Sequence, residues 1–126
     1  MVQGRPQATE LTRNNKKLVF TIAFNYGGRA EIVDAVQQLV DDGVEAHKIT
    51  ERSISKRLYD PEMPDVDLMI RTSGEHRISN FLLWELAYSE LWFTDTLWPD
   101  FTRDHMRAAV TDFRNRTRTY GGVTSA

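Results

Sequence analysis

The sequence predicts an α/β fold in which a mostly parallel sheet is flanked by helices. Two stretches, residues 18–43 and 66–91, each contain an apolar β-rich run, a glycine-containing loop and then a helical pattern. Parallel strands are joined by helical crossovers and buried on both faces, so they form nearly continuous apolar runs. A length of 126 residues supports one modest core and therefore a single domain.

Composition excludes several classes of protein. The chain is 40% hydrophobic and 27% charged with a net charge of -2, whereas proteins that coat nucleic acid have a basic excess. It has no cysteine, which rules out disulfides and thiolate metal sites. No apolar run has the length of a membrane span, and residues 1–10 lack a signal-peptide core. We therefore expect a soluble, cytoplasmic protein with no nucleic-acid partner.

The first part of the chain predicts a leader, a strand and a helix. Residues 1–10 show no periodicity and predict a mobile leader, so the domain covers residues 11–122 and residues 123–126 form a tail. The run Leu18–Phe24 predicts a fully buried strand. After a Gly-Gly turn, a helix ending near Gly43 is predicted by apolar residues at helical spacing. These are Ile32, Val33, Val36, Leu39 and Val40.

Four of the elements predicted between Thr50 and the C-terminus follow from helix caps and apolar runs. Thr50 caps a short helix, Val66–Ile70 forms a buried strand ending at Arg71, and Leu91–Phe93 forms a third strand. Thr102 caps a last helix whose apolar positions lie at i, i+3, i+4 and i+7. Four arginines lie within about 60° of one another on that helix, which is typical of a solvated face. They are Arg103, Arg107, Arg114 and Arg118.

The loop between the 66–70 strand and the next helix has the composition of an anion site. Ser79 suits the N-cap of an aromatic helix reaching Leu91 and buried on most sides. Arg71 and Arg77 flank the loop, and guanidiniums near a helix N-terminus match phosphate oxygens. A structural alternative is equally open, in which both arginines pair with carboxylates such as Glu75.

The same residues resemble the signature of the cis-prenyltransferases, the undecaprenyl pyrophosphate synthase family. The resemblance lies in Ile70–Trp84, which is Ile-Arg-Thr-Ser-Gly-Glu-His-Arg-Ile-Ser-Asn-Phe-Leu-Leu-Trp, and in Ala87–Glu90. The Asn-Tyr-Gly-Gly-Arg sequence of Asn25–Arg29 is similar to the family pattern at the corresponding place, and the two loops are expected to open on one edge. Arg116–Gly122 is similar to an arginine-rich family segment, with Thr119 where an arginine is common, and this similarity implies that the C-terminal arginines form a diphosphate clamp.

The resemblance implies a partial cis-prenyltransferase fold and condensation of isopentenyl diphosphate with an allylic diphosphate, assisted by Mg2+. It implies a homodimer and transient membrane contact through a lipid product. Isopentenyl diphosphate would be held by Arg71, Arg77 and Ser79, with Asn25, Arg29 and Arg118 as further substrate-binding residues. Glu90 and His76 would be the metal-linked residues.

Two observations limit this expectation. The family's magnesium aspartate, in a Gly-Asn-Gly-Arg context, has no counterpart here, so no catalytic residue is assigned. Glu90 would lie roughly 16 Å beyond Ser79 on a continuous helix, so either the helix is broken or Glu90 serves a partner subunit. The chain is then either the C-terminal portion of a cis-prenyltransferase, completed by another segment, or a catalytically silent homologue that binds diphosphate or dimerises.

Overall fold

The computed structural model describes residues 5–119 and 122, and it has the predicted α/β class with a parallel sheet. Strands β1 and β2 pair in parallel, with Leu68 opposite Glu90 and Arg71 opposite Phe93. No helix in these residues combines the length and apolar character needed to cross a bilayer. The elements are α1 (Arg5–Thr12), α2 (Gly28–Asp41), α3 (Glu51–Ser55), β1 (Leu68–Arg71), β2 (Glu90–Phe93) and α4 (Arg103–Asn115), with 3₁₀ turns at Ala46–Lys48 and Trp98–Asp100.

Helix α2 confirms the predicted helix after the Gly-Gly turn. It ends at Asp41, and Gly43, just beyond this end and with a φ of 71°, reverses the chain so that Val44 N–H reaches the Leu39 carbonyl at 3.0 Å. The buried face differs from the prediction, because Val33 and Val40 are 53% and 62% exposed. The buried residues of this helix are Gly28, Glu31, Ala35 and Leu39.

Two predicted N-caps and the third strand are confirmed. Thr50 and Ser53 form a reciprocal capping box at α3, and Thr102 and His105 form one at α4. Leu91–Phe93 lies within β2. Helix α4 stops at Asn115, so Arg118 lies beyond it and the predicted stripe of four arginines on one helix is wrong for that residue.

The predicted buried strand Leu18–Phe24 is wrong. These residues form no regular element in the structure. The large apolar side chains Leu18, Val19, Phe20, Ile22 and Phe24 are 64% to 85% exposed. A strand requires backbone partners, and within the described residues the sheet consists of β1 and β2 alone. Apolar content by itself therefore did not produce a strand.

The predicted helix from Ser79 to Leu91 is also wrong. Residues 79–88 form consecutive turns, and their chain then enters β2 at Glu90. Ser79, Asn80 and Leu82 have φ values of 50°, 63° and 43°. The left-handed region is incompatible with a continuous right-handed helix, so Ser79 cannot be its N-cap.

A small core connects α2, the sheet and α4. Its buried apolar side chains are Ala35, Leu39, Leu58, Met69, Leu86 and Ala109. Helix α1 covers part of the stretch for which no regular element was predicted. Residues 1–4 of the predicted leader and the predicted tail lie outside the described residues.

Candidate functional site

The arginine loop, residues 71–80, leaves the C-terminal end of β1. Its tip is held against the segment after β2, because Ser73 N–H donates to the Thr96 carbonyl at 2.9 Å and Gly74 N–H donates to the Thr94 carbonyl at 3.0 Å. Gly74 has a φ of 67°, and a Cβ there would lie 3.1 Å from Asp95 Oδ1. This position therefore favours glycine on both conformational and steric grounds.

Both predicted arginines approach the same carboxylate. Arg77 forms an ion pair with Glu75, and Arg71 lies 3.9 Å from the same oxygen. The Arg77 side chain is 67% exposed, whereas those of Arg71 and Glu75 are each 35% exposed. The internal ion-pair alternative is therefore present in the structure. Ion pairs this exposed contribute little to stability, which leaves the guanidiniums available to another anion.

An apolar cavity of about 270 Å³ lies behind the two arginines. Two arginines are among its lining residues, and the other five residues carry apolar side chains. The lining residues are Met69, Ile70, Arg71, Arg77, Ile78, Phe81 and Leu86. Such a cavity suits a small ligand with an anionic head and an apolar tail.

The two predicted loops meet, as expected, although no strand precedes the first. Gly28 N–H donates to the Asn80 carbonyl at 2.8 Å, and Arg29 N–H donates to Asn80 Oδ1 at 2.9 Å. A Cβ on Gly28 would lie 3.0 Å from both the backbone nitrogen and Cγ of Leu83. Asn80 therefore occupies the first free N–H groups of α2, where a ligand anion would otherwise bind.

Of the remaining predicted substrate-binding residues, three lie near the junction of the two loops and one lies far from it. Asn25 is exposed with a φ of 54°, in the loop before α2, and the Arg29 and Ser79 side chains are exposed near the Asn80 junction. Arg118 lies elsewhere, because it pairs with Asp67 at 2.5 Å and stands 5.5 Å from the centre of the Phe113 ring. Asp67 immediately precedes β1, so Arg118 is near the end of the sheet opposite the arginine loop. Residues 120–121 of its motif lie outside the described residues.

Glu90 and His76, the predicted metal-linked residues, are not brought together. Glu90 begins β2, whereas His76 packs 5.0 Å from the ring of Phe93 at the other end of that strand. Four residues of strand separate these ends by about 10 Å. No group of three His, Asp or Glu side chains in residues 5–119 and 122 is arranged to hold a metal. Within one copy of the described chain, Glu90 and His76 therefore cannot share a magnesium ion.

Glu90 instead belongs to an ion-pair network with α4. Its carboxylate accepts a hydrogen bond of 2.8 Å from Arg116, which also pairs with Asp112 at 2.5 Å. Hydrogen bonds to Glu90 and then Asp112 raise the pKa of Arg116 above its ordinary value. The network ties the start of β2 to the end of α4.

Sequence reasoning missed a group of buried polar residues beside the arginine loop. Glu31 and Glu85 are only 2% and 4% exposed. The Tyr26 hydroxyl donates to Glu31, and its pKa is raised, first by burial and then by the bond to Glu31. The four-residue spacing of Glu31, Ala35 and Leu39 along α2 was the available signal, since it places a carboxyl on the buried face.

Comparison with known proteins gives a consistent result. The family model described as undecaprenyl diphosphate synthase matches residues 2–121. An isoprenyl transferase from Fusobacterium nucleatum is 57% identical over 90% of this chain and 48% of its own length. One from Rickettsia typhi is 52% identical over 90% of this chain and 50% of its own. The chain therefore spans about half the length of these curated relatives.

Solved structures agree with the sequence comparison. A probable undecaprenyl diphosphate synthase from Campylobacter jejuni superposes with a TM-score of 0.80 at 35% identity, covering 92% of this chain and 53% of that one. Lavandulyl diphosphate synthase from Lavandula x intermedia, solved with dimethylallyl diphosphate, has a TM-score of 0.80 at 36% identity, covering 92% and 52%. Both structures have folds like that of this chain.

Proposed function

We propose that this chain, which belongs to the undecaprenyl diphosphate synthase family of prenyltransferases, provides the isopentenyl diphosphate site of a cis-prenyltransferase. The supporting observation is the arginine-lined apolar cavity beside the arginine loop. Isopentenyl diphosphate has a charged diphosphate and a five-carbon apolar tail. A cavity with two guanidiniums and hydrocarbon walls has the matching chemistry.

Glu75 indicates how the diphosphate would bind. Its carboxylate lies near both guanidiniums, so it takes the position of an oxyanion ligand. A diphosphate carries more negative charge than one carboxylate and can accept hydrogen bonds from both arginines at once. We infer that the ligand displaces Glu75 and that the exposed Ser79 hydroxyl adds a donor at the loop end.

In the proposed reaction, the double bond of isopentenyl diphosphate attacks the allylic carbon of a second diphosphate. A carbon–carbon bond forms, the allylic carbon–oxygen bond breaks, diphosphate leaves and a proton is lost from the product. The arginine loop holds the isopentenyl diphosphate head, while the apolar wall formed by Ile78, Phe81 and Leu86 orients the alkene and excludes water. Glu90 and His76, which lie at opposite ends of β2, take no part in this binding.

The half-length span of the match leaves a second candidate function. The chain would then be a diphosphate-binding or dimerising homologue without turnover. A dimer surface would include Tyr88 and Leu91, which are 61% and 37% exposed. Trp84 is less available for such a surface, because this residue is half-buried and its indole N–H donates to Ser55 Oγ at 2.9 Å.

The deciding experiment measures incorporation of labelled isopentenyl diphosphate into product primed with farnesyl diphosphate. The chain is assayed alone and mixed with the N-terminal half of a related isoprenyl transferase, and isopentenyl diphosphate binding is measured in parallel. Product in either assay supports the enzyme. Binding without product in both supports the binding module, and absence of binding overturns the proposal.

A further inference from the structure

Glu85 is a buried carboxyl group that the proposed chemistry does not use. It is 4% exposed, and its Oε2 has no hydrogen-bond partner among the described residues. Burial raises its pKa above the ordinary value; a hydrogen bond from its own backbone N–H lowers the pKa, and the negative charges of Glu31 and Asp65 raise it, so that the net shift is upward. A protonated carboxyl avoids the cost of burying an uncompensated charge.

Glu31, the neighbouring buried carboxyl, has a different environment. One oxygen accepts a hydrogen bond from the Tyr26 hydroxyl and the other accepts one from Tyr59 N–H at 2.9 Å. Two donors suit a carboxylate, which can only accept. Of the two carboxyls, Glu85 is therefore the better place for a proton.

Glu85 also lies where the arginine loop is docked on α2. The backbone of Leu82 hydrogen-bonds the Tyr26 hydroxyl, and the Phe81 ring packs edge-on at 5.6 Å from that of Tyr26. Glu85 itself accepts from Val66 N–H at 3.0 Å through its carbonyl, and the next residue, Leu86, lines the cavity. Any displacement of Glu85 would thus move both the cavity wall and the chain that leads to Asn80.

We propose that Glu85 is a positioning residue, held as a neutral acid, whose deprotonation loosens residues 79–86 from α2 and so displaces Arg77. The effect on ligand binding depends on the proposed function, whereas the effect on docking does not. The charged and titratable groups that face Glu85 are Tyr26, Glu31 and Asp65. The pKa of Tyr26 is raised, first by burial, away from the neutral range.

The sign of the pH dependence follows from proton linkage. The folded state retains a proton that the unfolded chain loses above its ordinary pKa of 4.5. The stabilisation is complete below that pH and is lost as pH rises through the raised folded-state pKa. Across this window, one retained proton changes the unfolding equilibrium constant by at most about tenfold per pH unit.

The test compares wild type with Glu85→Gln and Glu85→Ala between pH 5 and 8. Urea unfolding gives stability, and hydrogen exchange of the Gly28 and Arg29 amides, corrected for intrinsic rates, reports docking of Asn80 on α2. We expect wild type to lose stability and amide protection as pH rises. In Glu85→Gln, this pH-dependent loss of stability and protection should be absent. Glu85→Ala, which leaves a cavity, should be less stable throughout.

A Glu85→Gln variant with the same pH slope as wild type, or with weaker amide protection at every pH, would overturn the proposal. Titration with inorganic diphosphate adds the functional arm. As pH rises, the affinity of wild type for diphosphate should fall more steeply than that of Glu85→Gln. If wild type binds no diphosphate at any pH, the proposed function fails, and the amide protection still decides the role of Glu85.

Discussion

Asn80 accepts a hydrogen bond of 2.9 Å from the backbone N–H of Arg29, from which it is separated by 51 positions in the chain. Gly27, the N-cap of α2, provides no side-chain hydrogen bond, so the cap comes from the arginine loop instead. The same residue thus satisfies a helix terminus and holds the loop in place. This relationship couples α2 to the candidate site.

Replacing Asn80 with Ala should undock the arginine loop. Loss of a capping side chain costs about 0.5–2 kcal/mol of unfolding free energy, and we also expect weaker isopentenyl diphosphate binding because the loop is less ordered. Urea unfolding and calorimetric titration measure the two effects. Thr102→Ala, which removes the cap of α4 instead, is the matched control, and equal losses of binding in both variants would contradict a local role for Asn80.

Replacing Arg77 with Ala should weaken isopentenyl diphosphate binding with little change in stability. A charge-assisted hydrogen bond contributes about 1.5–3 kcal/mol, or roughly 10-fold to 150-fold in affinity. Arg107→Ala is the control, because its side chain is 69% exposed against 67% for Arg77 and it pairs with a nearby carboxylate. A loss of stability with unchanged affinity would favour the purely structural ion pair with Glu75.

Glu75→Gln tests the displacement step. If Glu75 competes with the ligand for the guanidiniums, removing its charge should strengthen diphosphate binding by a few-fold, since an exposed pair contributes about 0–1 kcal/mol. Calorimetric titration of wild type and variant measures the change. Weaker binding by the variant would show that Glu75 supports the arginines rather than competing with the ligand.

Gly28→Ala should be destabilising, because the added Cβ meets the backbone nitrogen of Leu83 at 3.0 Å. Overpacking of this kind costs about 1–3 kcal/mol. Gly27→Ala is a milder comparison, since its Cβ would meet the side-chain nitrogen of Asn80 rather than backbone. Gly28→Ala should unfold at a lower temperature than Gly27→Ala. The reverse order would show that the backbone at Leu83 shifts easily to accept the added Cβ.

Removal of magnesium should leave binding of isopentenyl diphosphate to this chain nearly unchanged, because the proposed ligands are guanidiniums. Titration with and without EDTA checks this.

Glu90→Gln should lower stability by weakening the pair with Arg116 and leave the affinity unaltered. Loss of binding after chelation, or in the Glu90→Gln variant, would show that Glu90 contributes to isopentenyl diphosphate binding.

The sequence alone determined those features that depend on neighbours along the chain. Thr50 and Thr102 were predicted as N-caps from the sequence, and the structure shows that each forms a capping box with the residue three positions later. The β1 strand, the end of α2 at Gly43 and the family signature around Arg71 and Arg77 are equally local. These features also located the arginine loop.

Tertiary structure decided whatever depends on distant partners. Leu18–Phe24 has strand composition, but no strand lies beside it in the part of the chain that the structure describes. Residues 79–88 have a helical pattern but turn where Asn80 reaches α2. Local patterns state what a segment prefers, whereas long-range hydrogen bonds and burial set what it adopts. For the same reason, only the structure showed Glu85 buried near Glu31 and Glu90 paired with Arg116, because each contact joins residues far apart in the chain.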